Sequence, residues 1–130
     1  MIAGASPKLL IFPTDMVVAE YLKIVNSSER EQLKSDLVNL TSALHKHNIV
    51  VPFSFQPYLN TYSSETLDRD LSFLYSSGII SKKDGSIIYE ITENGKEILK
   101  NKEQYFEGIP PEALSLFEHT LDDLFVPKAS

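Results

Sequence analysis

Three histidines are the side chains best suited to metal or proton chemistry, and their spacing argues against both. His45 and His47 stand two apart near an expected helix end. On a helix they point about 200° from each other, so they cannot clasp one ion from a common face. An imidazolium at a helix C-terminus instead suits the negative end of the dipole. His119 has Asp122 and Asp123 three and four residues on, which is the spacing of a surface pair. The chain has no cysteine, which excludes disulfides, thiolate zinc sites and a thiol nucleophile. It also lacks a glycine-rich phosphate loop, a serine elbow and paired carboxylates in an apolar setting. The expectation is therefore no enzyme, no metal and no cofactor. What remains is binding chemistry. Arg69 stands among Glu65, Asp68 and Asp70, and Lys82 and Lys83 are adjacent. Glu65 and Arg69 are four apart, the spacing of a surface salt bridge worth ~0.2–0.5 kcal/mol.

These residues need elements to place them. Thr14 after Pro13 reads as a helix N-cap with Asp15 in the first turn. The apolar positions Val17, Val18, Tyr21, Leu22, Ile24 and Val25 then make a stripe wide enough for more than one packing partner. Ser28-Glu29-Arg30-Glu31 reads as a capping box opening a helix to about His47, with Leu33, Leu37, Leu40 and Leu44 as its seam. Residues 49–62 hold two prolines and no helical period. They predict an ordered, partly extended loop whose aromatics lie on the domain.

Ser63 is the expected cap of a third helix running to Ser77, with Gly78 in the C′ position. Leu67, Leu71 and Leu74 are its inward face. At 100° per residue the outward line is Glu65, Arg69, Ser72 and Ser76, flanked by Thr66 and Phe73. Two β-branched runs, Ile79-Ile80 and Ile87-Ile88, flank Asp84-Gly85, a strong hairpin signal. Thr92 caps a further helix to about Gln104. Pro111, suited to a first helical position, opens a last one through Phe125. Leu114, Phe117, Leu121, Leu124 and Phe125 line one face of it.

The chain of 130 residues suits one domain. Its net charge of −6 comes from 12 basic and 18 acidic residues. The acidity is concentrated at the end, where residues 105–130 hold Lys128 against five carboxylates. A nucleic-acid binder usually carries a basic footprint, so the overall balance counts against that class. Leu9-Leu10-Ile11-Phe12 is too short for a leader core or a membrane span, and a cytoplasmic location without membrane partners is expected.

The order helix, helix, helix, hairpin, helix is the informative pattern. The stretch Ser64 to Ile80, with its leucines and its Gly78-Ile79-Ile80 exit, resembles the recognition helix of winged helix-turn-helix proteins. Tyr89-Glu90-Ile91-Thr92-Glu93-Asn94-Gly95-Lys96-Glu97-Ile98-Leu99 resembles their return strand and following helix, in which Thr92 caps and Gly95 permits close backbone packing. Pro57 through Leu74 distantly resembles archaeal and phage-associated winged-helix proteins of the Panacea antitoxin type. Those carry glycine-proline-tyrosine-serine where this chain has Asn60-Thr61-Tyr62-Ser63.

The resemblance implies an α+β, mainly α fold: a winged helix with a two-stranded wing and extra N- and C-terminal helices. It divides into an arm (1–13), the winged-helix body (14–104) and an acidic amphipathic helix (105–130) for packing or dimerisation. It also implies a transcriptional regulator that binds double-stranded DNA through Ser63, Ser64, Thr66, Arg69 and Ser72 on the helix and Lys82 and Lys83 on the wing. Neutralising three or four phosphates gives a salt slope of only about −3 to −4. A homodimer, formed through the first or last helix, is therefore expected. The alternative is a protein-interaction module, antitoxin-like or a complex subunit, whose acidic face suits a basic partner. The DNA reading requires Arg69 and both lysines to face outward on the same side.

Overall fold

The computed structural model describes residues 9–59, 61–83 and 87–126. In chain order the elements are β1 (Leu10–Ile11), α1 (Thr14–Val25), β2 (Ser27–Glu29), α2 (Arg30–His45), β3 (Ile49–Val50), β4 (Gln56–Tyr58), β5 (Thr61–Ser63), α3 (Glu65–Ser76), β6 (Ile80–Lys82), β7 (Ile88–Ile91), α4 (Glu93–Leu99), α5 (Lys102–Tyr105) and α6 (Pro111–Phe125). The fold is α+β and mainly helical. No helix among the described residues is long and apolar enough to cross a membrane.

α1 is enclosed. Every residue from Met16 to Leu22 is buried, so the wide stripe has the several partners it requires. α3 packs along one side and α6 along another, with β7 and α4 closing the remainder. α2 contributes its leucine seam, with Leu33, Leu37, Leu40 and Leu44 all fully buried.

Segments from the first and last parts of the described chain meet in this core. Phe12 is fully buried, with ring centroids 5.6 Å from Phe106 and 5.2 Å from Phe117. Residues expected to form a separate arm and an appended helix thus meet in one aromatic cluster. α6 turns Ala113, Phe117, Thr120 and Leu121 inward and packs on α2 and α1. The apolar face of α1 and most of that of α6, expected to serve packing or dimerisation, are covered within the chain, with Leu124 left exposed.

The ribbon β6–β7 forms antiparallel, with Ile80 opposite Ile91 and Lys82 opposite Tyr89. Its expected turn at Asp84-Gly85 lies outside the described residues. The expectation of two strands is corrected: β2 pairs antiparallel on the other edge of β7, giving the order β2-β7-β6. This pairing also displaces the expected capping box. Ser28 is held in extended geometry opposite Tyr89, and Glu29 becomes the N-cap of α2, accepting from the Glu31 amide at 3.1 Å.

Other boundaries shift for local reasons. Pro13, not Thr14, is the N-cap of α1 and offers no side-chain bond. The expected loop at 49–62 is more ordered than its prolines suggest. β3 pairs in parallel with β1, and β4 pairs with β5 in a second hairpin. Lys34 Nζ donates to the Tyr62 carbonyl at 3.0 Å and Thr61 bonds Glu31, which fastens that hairpin to α2. The helix expected over 93–104 is interrupted, with α4 ending at Leu99 before the short α5.

The join between α3, the ribbon and α4 is close. Gly78 has φ 76°, the left-handed region open to glycine. Its amide donates to the Tyr75 carbonyl at 3.1 Å, and the Ile79 amide donates to Leu74 at 3.0 Å. That is a Schellman ending, with Leu74 and Ile79 buried beside it. Thr92 Oγ1 donates towards the carbonyls of Gly78 (2.7 Å) and Ile79 (2.9 Å) and accepts from the Gly95 amide at 2.8 Å. A Cβ on Gly95 would lie 2.2 Å from the Ile79 carbonyl oxygen, so α4 meets this strand only because position 95 has no side chain.

A Gly95→Ala variant is therefore expected to lose about 1–3 kcal/mol of stability through forced separation of α4 from the ribbon, read as a lower urea midpoint. A second polar contact fixes α1. The Tyr21 hydroxyl donates to the Asp36 carboxylate and lies 3.1 Å from Ser28 Oγ, and its ring packs edge-on against Phe125 at 5.0 Å. Burial and the Asp36 carboxylate both push the phenol well above its ordinary range. Tyr21→Phe keeps the ring contact and removes the bond, with an expected loss of about 1–2 kcal/mol in the same measurement.

Candidate binding surface

α3 begins at Ser64, whose side chain accepts from the Leu67 amide at 3.1 Å and donates to the Phe53 carbonyl. Ser64 is buried and its hydroxyl is used on both sides. This corrects two expectations. Ser64, not Ser63, is the cap, and Ser64 does not face a ligand. Ser63 is exposed, paired with Gln56 at the end of the second hairpin.

With Leu67, Leu71 and Leu74 buried, the rest of α3 falls where helical projection puts it. Arg69 and Ser72 are exposed on the outward line, together with Glu65 and Ser76. The Glu65–Arg69 pair does not close: no ion pair involves Arg69 among the described residues. The two flanks are tied down instead. Asp68 bonds Arg30 at the start of α2, Nη2 to Oδ1 at 2.7 Å. Asp70 on the opposite flank meets the first turn of α1, where the Thr14 side chain hydrogen-bonds it. Its Oδ2 is buried without a hydrogen-bond partner among the described residues. Burial first, and then the neighbouring Asp15 charge, push the Asp70 carboxyl up.

Thr66 is turned from the outward line into a cleft shared with Thr14, Gln104 and Glu107. Two aromatics that projection placed off the core are half-exposed on α3: Phe73 on the Thr66 flank and Tyr75 on the Asp68 flank, at 49% and 53%. Sequence reading had noted Phe73 only as a flank and did not single out Tyr75. The signal was present, since both fall outside the Leu67–Leu71–Leu74 arc.

The ribbon separates the two lysines. Side chains alternate along a strand, so neighbours in β6 and its extension face opposite ways. Lys82 shares the inner face with Ile80, opposite Tyr89, and its Nζ lies 5.7 Å from the Tyr89 ring centroid, within cation–π range. Lys83 points to the other face and pairs with Glu90, Nζ to Oε1 at 3.2 Å. Both are exposed, but they do not form one patch with Arg69. The expectation of three cations on the same side is corrected for this reason.

α3 itself carries three carboxylates against one guanidinium. Around it, Arg30 and Lys83 are each matched by an acid. Because the acid that matches Arg30 is Asp68, one of those three, and Asp70 is turned to α1, the outward face is polar and aromatic and sets Glu65 beside Arg69. His45, His47 and His119 are exposed, and no group of metal-binding side chains forms among the described residues. No family model, curated protein or solved structure matches this chain.

Because Asp70 has a raised carboxyl pKa in the fold, its charged form costs stability above that pKa, and the cost disappears as pH falls through it. Asp70→Asn is expected to raise the melting temperature at neutral pH. The advantage over the parent protein should shrink as pH is lowered through the carboxylate range, followed by thermal unfolding at a series of pH values.

Proposed function

We propose that this chain is a winged-helix module that docks a basic protein segment on the outward face of α3. Support for the fold assignment is the order α1, β2, α2, α3, β6, β7, α4, with the ribbon following the third helix at Gly78 and α4 locked behind it by Thr92 and Gly95. The observation that carries the docking reading is the exposure, on α3, of Phe73 and Tyr75 beside the carboxylates of Glu65 and Asp68. Aromatic side chains supply contact area at low entropic cost and are enriched in protein interfaces. The carboxylates steer a partner of opposite charge and repel phosphate.

DNA binding is the second reading. It is favoured by one observation: Arg69 and Lys82 are both exposed and neither has an ion-pair partner among the described residues. The two readings differ in the sign of the charges that matter. α1 and most of α6 are covered within one chain, so the interface of a homodimer would lie mainly on other elements.

Retention on immobilised poly-lysine and on mixed-sequence duplex DNA separates them. Docking of a basic segment predicts poly-lysine retention at low salt that Glu65→Lys with Asp68→Lys weakens more than Asp122→Lys with Asp123→Lys on α6. It also predicts no duplex retention at the same ionic strength. Duplex retention abolished by Arg69→Glu with Lys82→Glu would replace this reading with the DNA one.

A further inference from the structure

A cleft of about 540 Å³ opens between β1, the first turn of α3 and the α5–α6 connection. Its volume is within the range of small-molecule sites. Its apolar lining comes from Ile11, Phe12, Pro13, Pro52 and Ile109, while Thr14, Thr66, Gln104 and Tyr105 bring hydrogen-bonding groups. Glu107 is the carboxylate of the lining, which among the described residues contains no lysine, arginine or histidine. We propose that this cleft binds a small primary amine carrying an apolar body, with the ammonium at Glu107 and the body over Phe12 and Ile109.

The sign of the ligand charge needs argument, because α1 starts at the cleft and a helix N-terminus favours anions. That end carries roughly +0.5 of a charge. Two carboxylates already answer it. Asp15 Oδ1 accepts from the Met16 amide at 2.8 Å, and Asp70 bonds Thr14. These two charges, with Glu107, outweigh the dipole together with the Arg69 guanidinium that also acts on Asp70. Their mutual repulsion is visible in Asp70, whose carboxyl is pushed up in part by Asp15. A cation entering the cleft relieves that repulsion and an anion adds to it.

The walls also define what moves with the ligand. Thr14 belongs to α1, Thr66 to α3, and Gln104, Tyr105 and Glu107 to the segment leading into α6. An occupant therefore bridges the core helix to the first turn of the candidate docking helix. Thr66, expected on the DNA-contacting side, acquires a different role in this arrangement. The inference is independent of which macromolecule α3 meets.

The test is an amide proton–nitrogen NMR titration of the full chain with phenethylamine, phenylacetate and phenethyl alcohol, which share an apolar body and differ in charge. Phenethylamine is expected to shift the amides of Thr14, Thr66, Gln104 and Glu107 together and to saturate, with the alcohol weaker and phenylacetate without effect there. Glu107→Gln should weaken the amine by about tenfold, the loss of one charge-assisted bond, while leaving the thermal midpoint unchanged, because Glu107 is exposed. Equal titration by phenylacetate, shifts confined to other parts of the chain, or unaltered amine affinity in Glu107→Gln would each overturn the proposal.

Discussion

A helix with no solvent face imposes its requirements on everything around it. From Met16 to Leu22, α1 is buried residue after residue, and a buried helix surface must meet partners in every direction. α3 supplies one side and α6 another, and the three-stranded sheet with α4 supplies the rest. Some of the polar groups caught in this arrangement find partners nearby, while Glu20 Oε1 and Asp70 Oδ2 are buried without a hydrogen bond among the described residues. Tyr21 finds Asp36 and Ser28, and Thr14 finds Asp70. Because α6 is spent on covering α1 and α2, its amphipathic face is structural, and the molecule keeps few exposed apolar side chains outside α3, the hairpin tip and the chain ends.

The same enclosure determines what α3 can present. One arc is committed to α1 through Leu67, Leu71 and Leu74, and the two flanks are drawn down by Arg30 and by the α1 start. The remaining surface is narrow, and its chemistry is mixed: the Arg69 guanidinium, hydroxyls, two aromatics and the carboxylates of Glu65 and Asp68. Exposed ion pairs of the Arg30–Asp68 kind contribute only ~0.2–1 kcal/mol. Their effect here is more on direction than on stability, since they remove cations from the face a phosphate backbone would meet. The ribbon acts likewise. By alternating, it sends Lys83 to Glu90 and leaves Lys82 over Tyr89.

Local signals in the chain carried most of the secondary structure. The leucine seam of α2, the glycine stop at 78, the threonine cap at 92, the need for glycine at 95 and the proline start at 111 are all short-range features, and each has the expected place. Such features are legible because a cap or a turn is decided by residues within a few positions of one another. Besides caps and ends that moved by a residue or a turn, the larger misreadings are those where a distant segment intervened. Ser28 lost its capping role to Tyr89, and the proline-rich stretch gained order from β1 and from Lys34.

The amino-acid order by itself determined helix periods, stops and the ribbon, along with the absence of thiol chemistry. Tertiary structure alone decided which charges remain available and where a cleft opens. Arg30 and Asp68 are 38 residues apart, and Thr66 and Glu107 share a wall only after α5 folds back. Electrostatic balance and concavity arise from contacts between remote segments. Periodicity, which reports only the near neighbours of each residue, carries no record of them.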